Sequence, residues 1–152
     1  MSLETRITTL EAKDAIRELK YRYGYYLDQC RWDDLRDIFT EDVRLEYSRE
    51  GLDSFEGQDE LDEFIEAVES QRDFLAHMFH NPIITVNGDE ANGQWYFEAA
   101  MTDHEGTAMW AQGRYDDRYL RVDGEWKIDK VVTTYHYSTT YEGGWSNEVL
   151  VE

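Results

Sequence analysis

Apolar residues recur along the first part of the chain at helical spacing. Ile7, Leu10, Ile16, Leu19, Tyr23, Tyr26 and Leu27 are separated mostly by three or four, which predicts a long helix with one buried stripe. Trp32, Leu35, Ile38 and Phe39 form a second apolar face, so residues 32–39 read as a short helix. Val43, Leu45 and Tyr47 then alternate with polar neighbours, as in a strand. Residues 50–57 are a turn-rich connection. Leu61, Phe64, Ile65 and Val68 fall at i, i+3, i+4 and i+7 and place a third helix over residues 58–71, with Asp59 and Glu60 in its first turn, where the helix dipole favours them. From Phe74 the period shortens to two. Strands are expected over residues 74–86, 92–102, 108–122 and 125–136, with hairpin signals at Asn87-Gly88-Asp89 and Asp123-Gly124. On the last strand Trp126, Ile128, Val132 and Thr134 share a face. Helices followed by long antiparallel strands give an α+β class. Its expected form is a cone-shaped α+β barrel: a curved mixed or antiparallel sheet wrapped by three N-terminal helices around a conical cavity.

Length keeps the chain to one domain, residues 1–152, with enough residues for one substantial core. The tail over residues 137–152, with Tyr141, Gly143, Gly144 and Trp145, is expected to act as a lid or a partner contact. Charge narrows the partners. Thirty-four acidic against fifteen basic residues leave a formal net charge of −19, which repels phosphate backbones and anionic membranes, so neither nucleic acid nor membrane is expected as a partner. A salt-adapted host and an ordinary acidic protein both fit this charge. A single cysteine, Cys30, excludes an intrachain disulfide framework and a cysteine-rich zinc site. A reduced, cytoplasmic setting follows as the expectation. The first residues lack the apolar run of a signal peptide, and no stretch is apolar enough to span a membrane.

Two stretches carry candidate chemistry. Asp28 lies near the end of the first helix among Tyr21, Tyr23, Tyr25, Tyr26 and Leu27. The negative end of the helix dipole and aromatic burial both disfavour its charge, which is how a carboxylate becomes a base useful near neutral pH. A solvated outer-face Asp is the plain alternative. Asp28 is five residues past Tyr23, about 140° around the helix, so the two share a cavity only where the helix end is buried over a wide arc. In LAHMFHNPIITV, His77 and His80 are three apart on a strand and point to opposite faces. That argues against a metal site, which needs both ligands on one side, and leaves one histidine facing inward. His104 reads as a solvated turn residue, and His136 as a residue of the cavity mouth.

These stretches resemble the nuclear-transport-factor-2-like superfamily, and within it the SnoaL-like group that includes scytalone dehydratase, hexachlorocyclohexane dehydrochlorinase and bile acid 7α-dehydratase. The resemblance rests on IRELKYRYGYYLDQCRWDDL, AHMFHNPIITV, GQWYFEA and RYDDRYLRVDGEWKI, and covers roughly Leu10 to His136. It implies that Tyr23, Asp28 and His77 are the catalytic residues. His77 is preferred over His80 because the family histidine stands four residues before an Asn or Thr that precedes a proline. The carboxylate would orient the imidazole, the imidazole would move a proton, and the tyrosine would polarise a carbonyl or assist a leaving group. The chain departs from the dehydratase pattern twice. Ala99 stands where that pattern has a second Asp, and Tyr135 where it has an Arg on the final strand.

With both groups gone, Trp95, Phe97, Ala99 and Met101 give one apolar face. The expected pocket is greasy, formed with Tyr26 and Tyr135 as further substrate contacts. The reading is a lyase or isomerase needing no cofactor and no metal, acting on a small hydrophobic cyclic substrate. The competing reading is a non-catalytic hydrophobic-ligand-binding or dimerisation domain. The resemblance also implies a homodimer or homotrimer.

Overall fold

The computed structural model describes residues 2–48 and 52–142. Helix α1 spans Leu3–Asp28, with Ser2 as its N-cap: the Ser2 hydroxyl accepts from the Thr5 N–H. Its buried face is Ile16, Leu19, Lys20, Tyr23, Gly24 and Leu27. Ile7 and Leu10, expected on the buried stripe, are 46% and 65% exposed, because the helix is buried only from Ile16 onward. A Schellman motif ends it: Arg31 N–H bonds the Tyr26 carbonyl, Cys30 N–H bonds that of Leu27, and Cys30 takes a left-handed φ of 54°.

Helix α2 covers Trp32–Asp37, shorter than expected, and strand β1 starts early, at Phe39–Tyr47. The turn-rich connection contains a two-residue strand, β2 (Phe55–Glu56), and leads into α3 (Gly57–Glu69). Four long strands follow: β3 (Phe74–Asn87), β4 (Glu90–Thr102), β5 (Ala108–Val122) and β6 (Glu125–Thr140). They form one open six-stranded sheet in the order β2-β1-β6-β5-β4-β3, in which only β1 and β6 run parallel. Helix α1 packs on β3 and β6, and α3 on β1 and β2. The sheet curves without closing, and among the described residues β3 is an edge strand. β6 continues to Thr140, so the start of the expected tail is strand; Gly143, Gly144 and Trp145 lie outside the described residues.

A bulge in β3 sets which of its residues face in. His80 pairs with Tyr96 but Ile83 with Gln94, so Asn81 and Pro82 together oppose one residue of β4. Leu75, His77 and Phe79 face the interior before the bulge, and the phase flips so that Ile84 is buried after it while Ile83 is exposed. Proline is tolerated here because β3 is an edge strand and the ladder is already interrupted.

The core holds one ion pair. Lys20 on α1 and Asp117 on β5 are both fully buried, with Nζ 2.8 Å from Oδ2. The other carboxylate oxygen, Oδ1, has no donor among the described residues. Tyr119 donates to Asp117 Oδ2 (2.7 Å), and Trp95 Nε1 donates to the Tyr119 hydroxyl (3.0 Å). Lys20 Nζ lies 3.7 Å from the ring centroid of Tyr115 and 4.4 Å from that of Tyr23. Burial pulls the Lys20 ammonium below its ordinary value and pushes the Asp117 carboxyl up, each opposed by the charge of the other. Removing one partner strands a buried charge, so Lys20→Met is expected to cost about 3–5 kcal/mol. The double variant Lys20→Met/Asp117→Asn, which keeps an acceptor for Tyr119, is expected to recover most of that loss. Urea unfolding of the two variants checks this; a single variant as stable as the wild type would show that the pair is not formed.

Candidate active site

Asp28 and His77 meet where the end of α1 crosses the edge of the sheet. Asp28 Oδ2 accepts the backbone N–H of His77 at 2.8 Å, and Oδ1 lies 2.7 Å from His77 Nδ1. The side chains are 17% and 9% exposed. Among the described residues β3 is an edge strand with no further strand beside the His77 N–H, and the carboxylate supplies its acceptor. Asp28 is therefore not a free base. It is engaged twice, and an ionised Asp28 places the imidazole proton on Nδ1 and leaves Nε2 as the acceptor.

The close approach of helix and strand needs Gly24, one turn before Asp28. A Cβ there would sit 2.6 Å from Phe79 Cε2. The Phe79 ring stacks on His77, with centroids 6.0 Å apart and planes 24° from parallel, and also packs on Tyr23 at 6.4 Å. Tyr23 thus belongs to the same aromatic cluster as His77, through the shared contact with Phe79. Burial pushes the Tyr23 hydroxyl well above its usual range, which keeps it protonated as a donor. His77 goes the other way: burial lowers it, the hydrogen bond and charge of Asp28 partly restore it, and the positive charges of Arg72 and Lys20 lower it further.

A cavity of about 320 Å³ opens beside this cluster, lined by Tyr47, Phe55, Phe64, Met101, Met109 and Tyr135, with Arg72, Gln71, Asp53 and Ser138 as its polar groups. Neither dyad residue lines it. A small cleft of about 40 Å³ borders Asp28, and Arg72 and Val68 line both spaces. The pocket is thus less greasy than the sequence suggests. The final strand offers Tyr135, but a guanidinium, that of Arg72, lines the same cavity. Two further clefts, of about 320 and 420 Å³, involve mainly charged and polar residues on other parts of the surface and touch neither His77 nor Asp28.

The expected substrate contacts separate. Tyr135 lines the cavity. Phe97 lies behind it, edge-on at 5.8 Å, and packs on Tyr115 at 4.6 Å. Ala99 is buried directly opposite His77 in the β3–β4 pairing. Trp95 is fully buried and bonded to Tyr119, a core position. Tyr26 is half-buried under the Arg31 guanidinium at 4.5 Å and is absent from the cavity wall. Of the other histidines, His80 faces outward to Glu98 (3.1 Å), and His136 bonds Gln112 (3.0 Å) on an exposed surface rather than at a cavity mouth. His104 is not merely solvated: it bonds the Asp73 carboxylate and the Glu69 carbonyl, which raise it above its ordinary value. Among the described residues no three His, Cys, Asp or Glu side chains cluster as a metal site would need, and no helix is long and apolar enough to cross a membrane.

The fold and this site define a SnoaL-like protein. The SnoaL-like domain family matches residues 8–132, and the chain belongs to it. An uncharacterised protein of Mycobacterium tuberculosis is 26% identical over 122 residues, 78% of this chain and 82% of that protein. Among solved structures, a scytalone dehydratase candidate from Novosphingobium aromaticivorans superposes with a TM-score of 0.81 at 25% identity, covering 90% of this chain and 92% of that one. The hexachlorocyclohexane dehydrochlorinase LinA-type3 from Novosphingobium barchaimii superposes with a TM-score of 0.82 at 22% identity, covering 91% and 95%. At that identity the second likeness shows the fold alone.

The lowered His77 value has a consequence for stability. An unfolded histidine takes up its proton below about pH 6.5, while the folded one resists protonation until a lower pH. This cost is absent above that pH and grows as pH falls from there toward the folded value. Between pH 7.5 and 5 the urea midpoint of the wild type should therefore fall more steeply than that of His77→Gln. Equal slopes would mean that His77 is not buried neutral.

Proposed function

We propose that the protein is a lyase or isomerase that moves a proton on a small, ring-containing substrate next to a carbonyl. The observation that carries this is the double grip of Asp28 on His77, which fixes the tautomer and leaves Nε2 able to accept. Relatives of the same fold named as a scytalone dehydratase candidate and a dehydrochlorinase support elimination as the reaction type. In this scheme Nε2 removes a proton from the carbon beside the carbonyl. Asp28 stabilises the imidazolium that forms, against the opposing charges of Arg72 and Lys20. Tyr23 donates to the developing enolate oxygen. The enolate collapses to a carbon–carbon double bond, the bond to a β-hydroxyl breaks, and the imidazolium proton leaves with the hydroxide as water. Without a leaving group, return of the proton to the γ-carbon of an unsaturated substrate gives an isomer by the same residues.

One observation favours a second reading, a non-catalytic binding module: the 320 Å³ cavity does not reach either dyad residue. Proton exchange separates the two. Wild type should accelerate deuterium exchange at the α-carbons of 2-tetralone and 3-hydroxycyclohexanone in D2O, followed by NMR, and convert the latter to cyclohexenone. His77→Ala should lower either rate by about 10²–10⁴-fold, with Tyr23→Phe lowering it less. A wild type no faster than buffer, or a His77→Ala variant as fast as wild type, sinks the catalytic reading.

A further inference from the structure

Among the described residues, every arginine from Arg17 to Arg118 other than Arg72 has an acidic partner. Arg17, Arg22, Arg31, Arg36, Arg44, Arg114 and Arg118 each lie in an ion pair. Arg72 has none among the described residues, in a chain with more than two acids for each base. Of the acids that line the same two spaces, Asp73 holds His104, Glu69 accepts from Trp32 Nε1, Asp28 holds His77, and Asp53 lines the cavity without forming an ion pair with Arg72. One bond anchors the guanidinium, Nε to the Val68 carbonyl at 3.1 Å, in the last turn of α3. Helix capping accounts for that bond. It uses one of the five N–H donors of the side chain and leaves the planar fork of terminal nitrogens.

That fork belongs to the inner wall. Arg72 lines the large cavity together with Tyr47 and Tyr135, and lines the small cleft together with Asp28. Its charge is felt by Tyr47, Tyr23 and His77, so it stands between the cavity and the dyad. Burial holds the Tyr47 and Tyr23 phenols protonated, so they supply no counter-charge. A partly buried guanidinium left without a counter-charge among the described residues is costly unless something in the cavity offsets it.

We infer that Arg72 is the anion-binding residue of the cavity and that the natural substrate carries a carboxylate, held by the Arg72 fork while its ring lies among Tyr47, Tyr135 and Met101. A carboxylate matches the spacing of two parallel guanidinium N–H donors. This takes the cavity as the ligand site, as the binding reading above does, and does not rest on the dyad chemistry. The overall charge of −19 works against any anion, so a preference for one has to come from a local cation.

The probes are 2-naphthoate and its neutral analogue 2-naphthamide, titrated calorimetrically at pH 7.5 and fixed ionic strength. Wild type should bind the naphthoate at least about tenfold more tightly. Arg72→Gln should bring the ratio to one or below. His77→Ala should keep the preference, so failure of the dyad scheme and failure of this inference are read separately. If Arg72→Gln does not fold, the wild type alone decides: the Arg72 Nε–H resonance should shift on addition of naphthoate and stay still with the amide. Equal affinity for the two probes in the wild type, a preference that survives Arg72→Gln, or naphthoate binding that leaves the Arg72 resonance unmoved overturns the inference.

Discussion

The site depends on one carboxylate at the end of one helix. Asp28 takes both the backbone N–H and the Nδ1 of His77, so it ties α1 to the edge strand β3 and orients the imidazole in one contact. Three local features make that contact possible. The Schellman turn at Cys30 stops the helix just past Asp28. Gly24 lets the helix come down onto Phe79. The Asn81–Pro82 bulge lets His77 and Ile84 both face inward along one strand. Structural and chemical demands coincide here: the group that covers a strand edge is the group that polarises a base.

The second constraint is electrostatic. The chain is strongly acidic, yet among the described residues a buried lysine and a partly buried arginine have different fates. Lys20 is neutralised by Asp117 and enclosed by Tyr23 and Tyr115, which makes it part of the scaffold under the donor tyrosine. Arg72 is held only by a backbone carbonyl and faces the cavity. Both lower the tendency of His77 to hold a proton, and the aromatic wall keeps the tyrosine hydroxyls protonated. The resting interior is thus set as a neutral base, neutral donors and one uncompensated positive charge.

Much of this was legible in the sequence. The helical stripe, the period-two strands and the turn dipeptides located the main elements, and the resemblance of the helix and histidine segments gave the superfamily and the SnoaL-like group. The edges were less legible. Ile7 and Leu10 keep the helical spacing, but spacing cannot say where a helix leaves the core. Lys20 was in plain view: it is in phase with Ile16, Tyr23 and Leu27, as Asp117 is with Tyr115 and Tyr119, and two opposite charges on two buried stripes signal a core ion pair. Arg72 carried no such signal. It follows a helix in a polar turn, where a cation reads as a cap, and only the tertiary placement of that turn brings it to the cavity.

The central claim is that Asp28 and His77 form a coupled pair in which the imidazole is neutral at neutral pH. The direct measurement is the titration of His77 by NMR in the wild type and in Asp28→Asn. The account predicts a wild-type value below that of an ordinary histidine and a further fall when the Asp28 charge is removed, because that charge and its hydrogen bond are what hold the value up. A wild-type His77 titrating above the ordinary range, or one that does not move in Asp28→Asn, would contradict it.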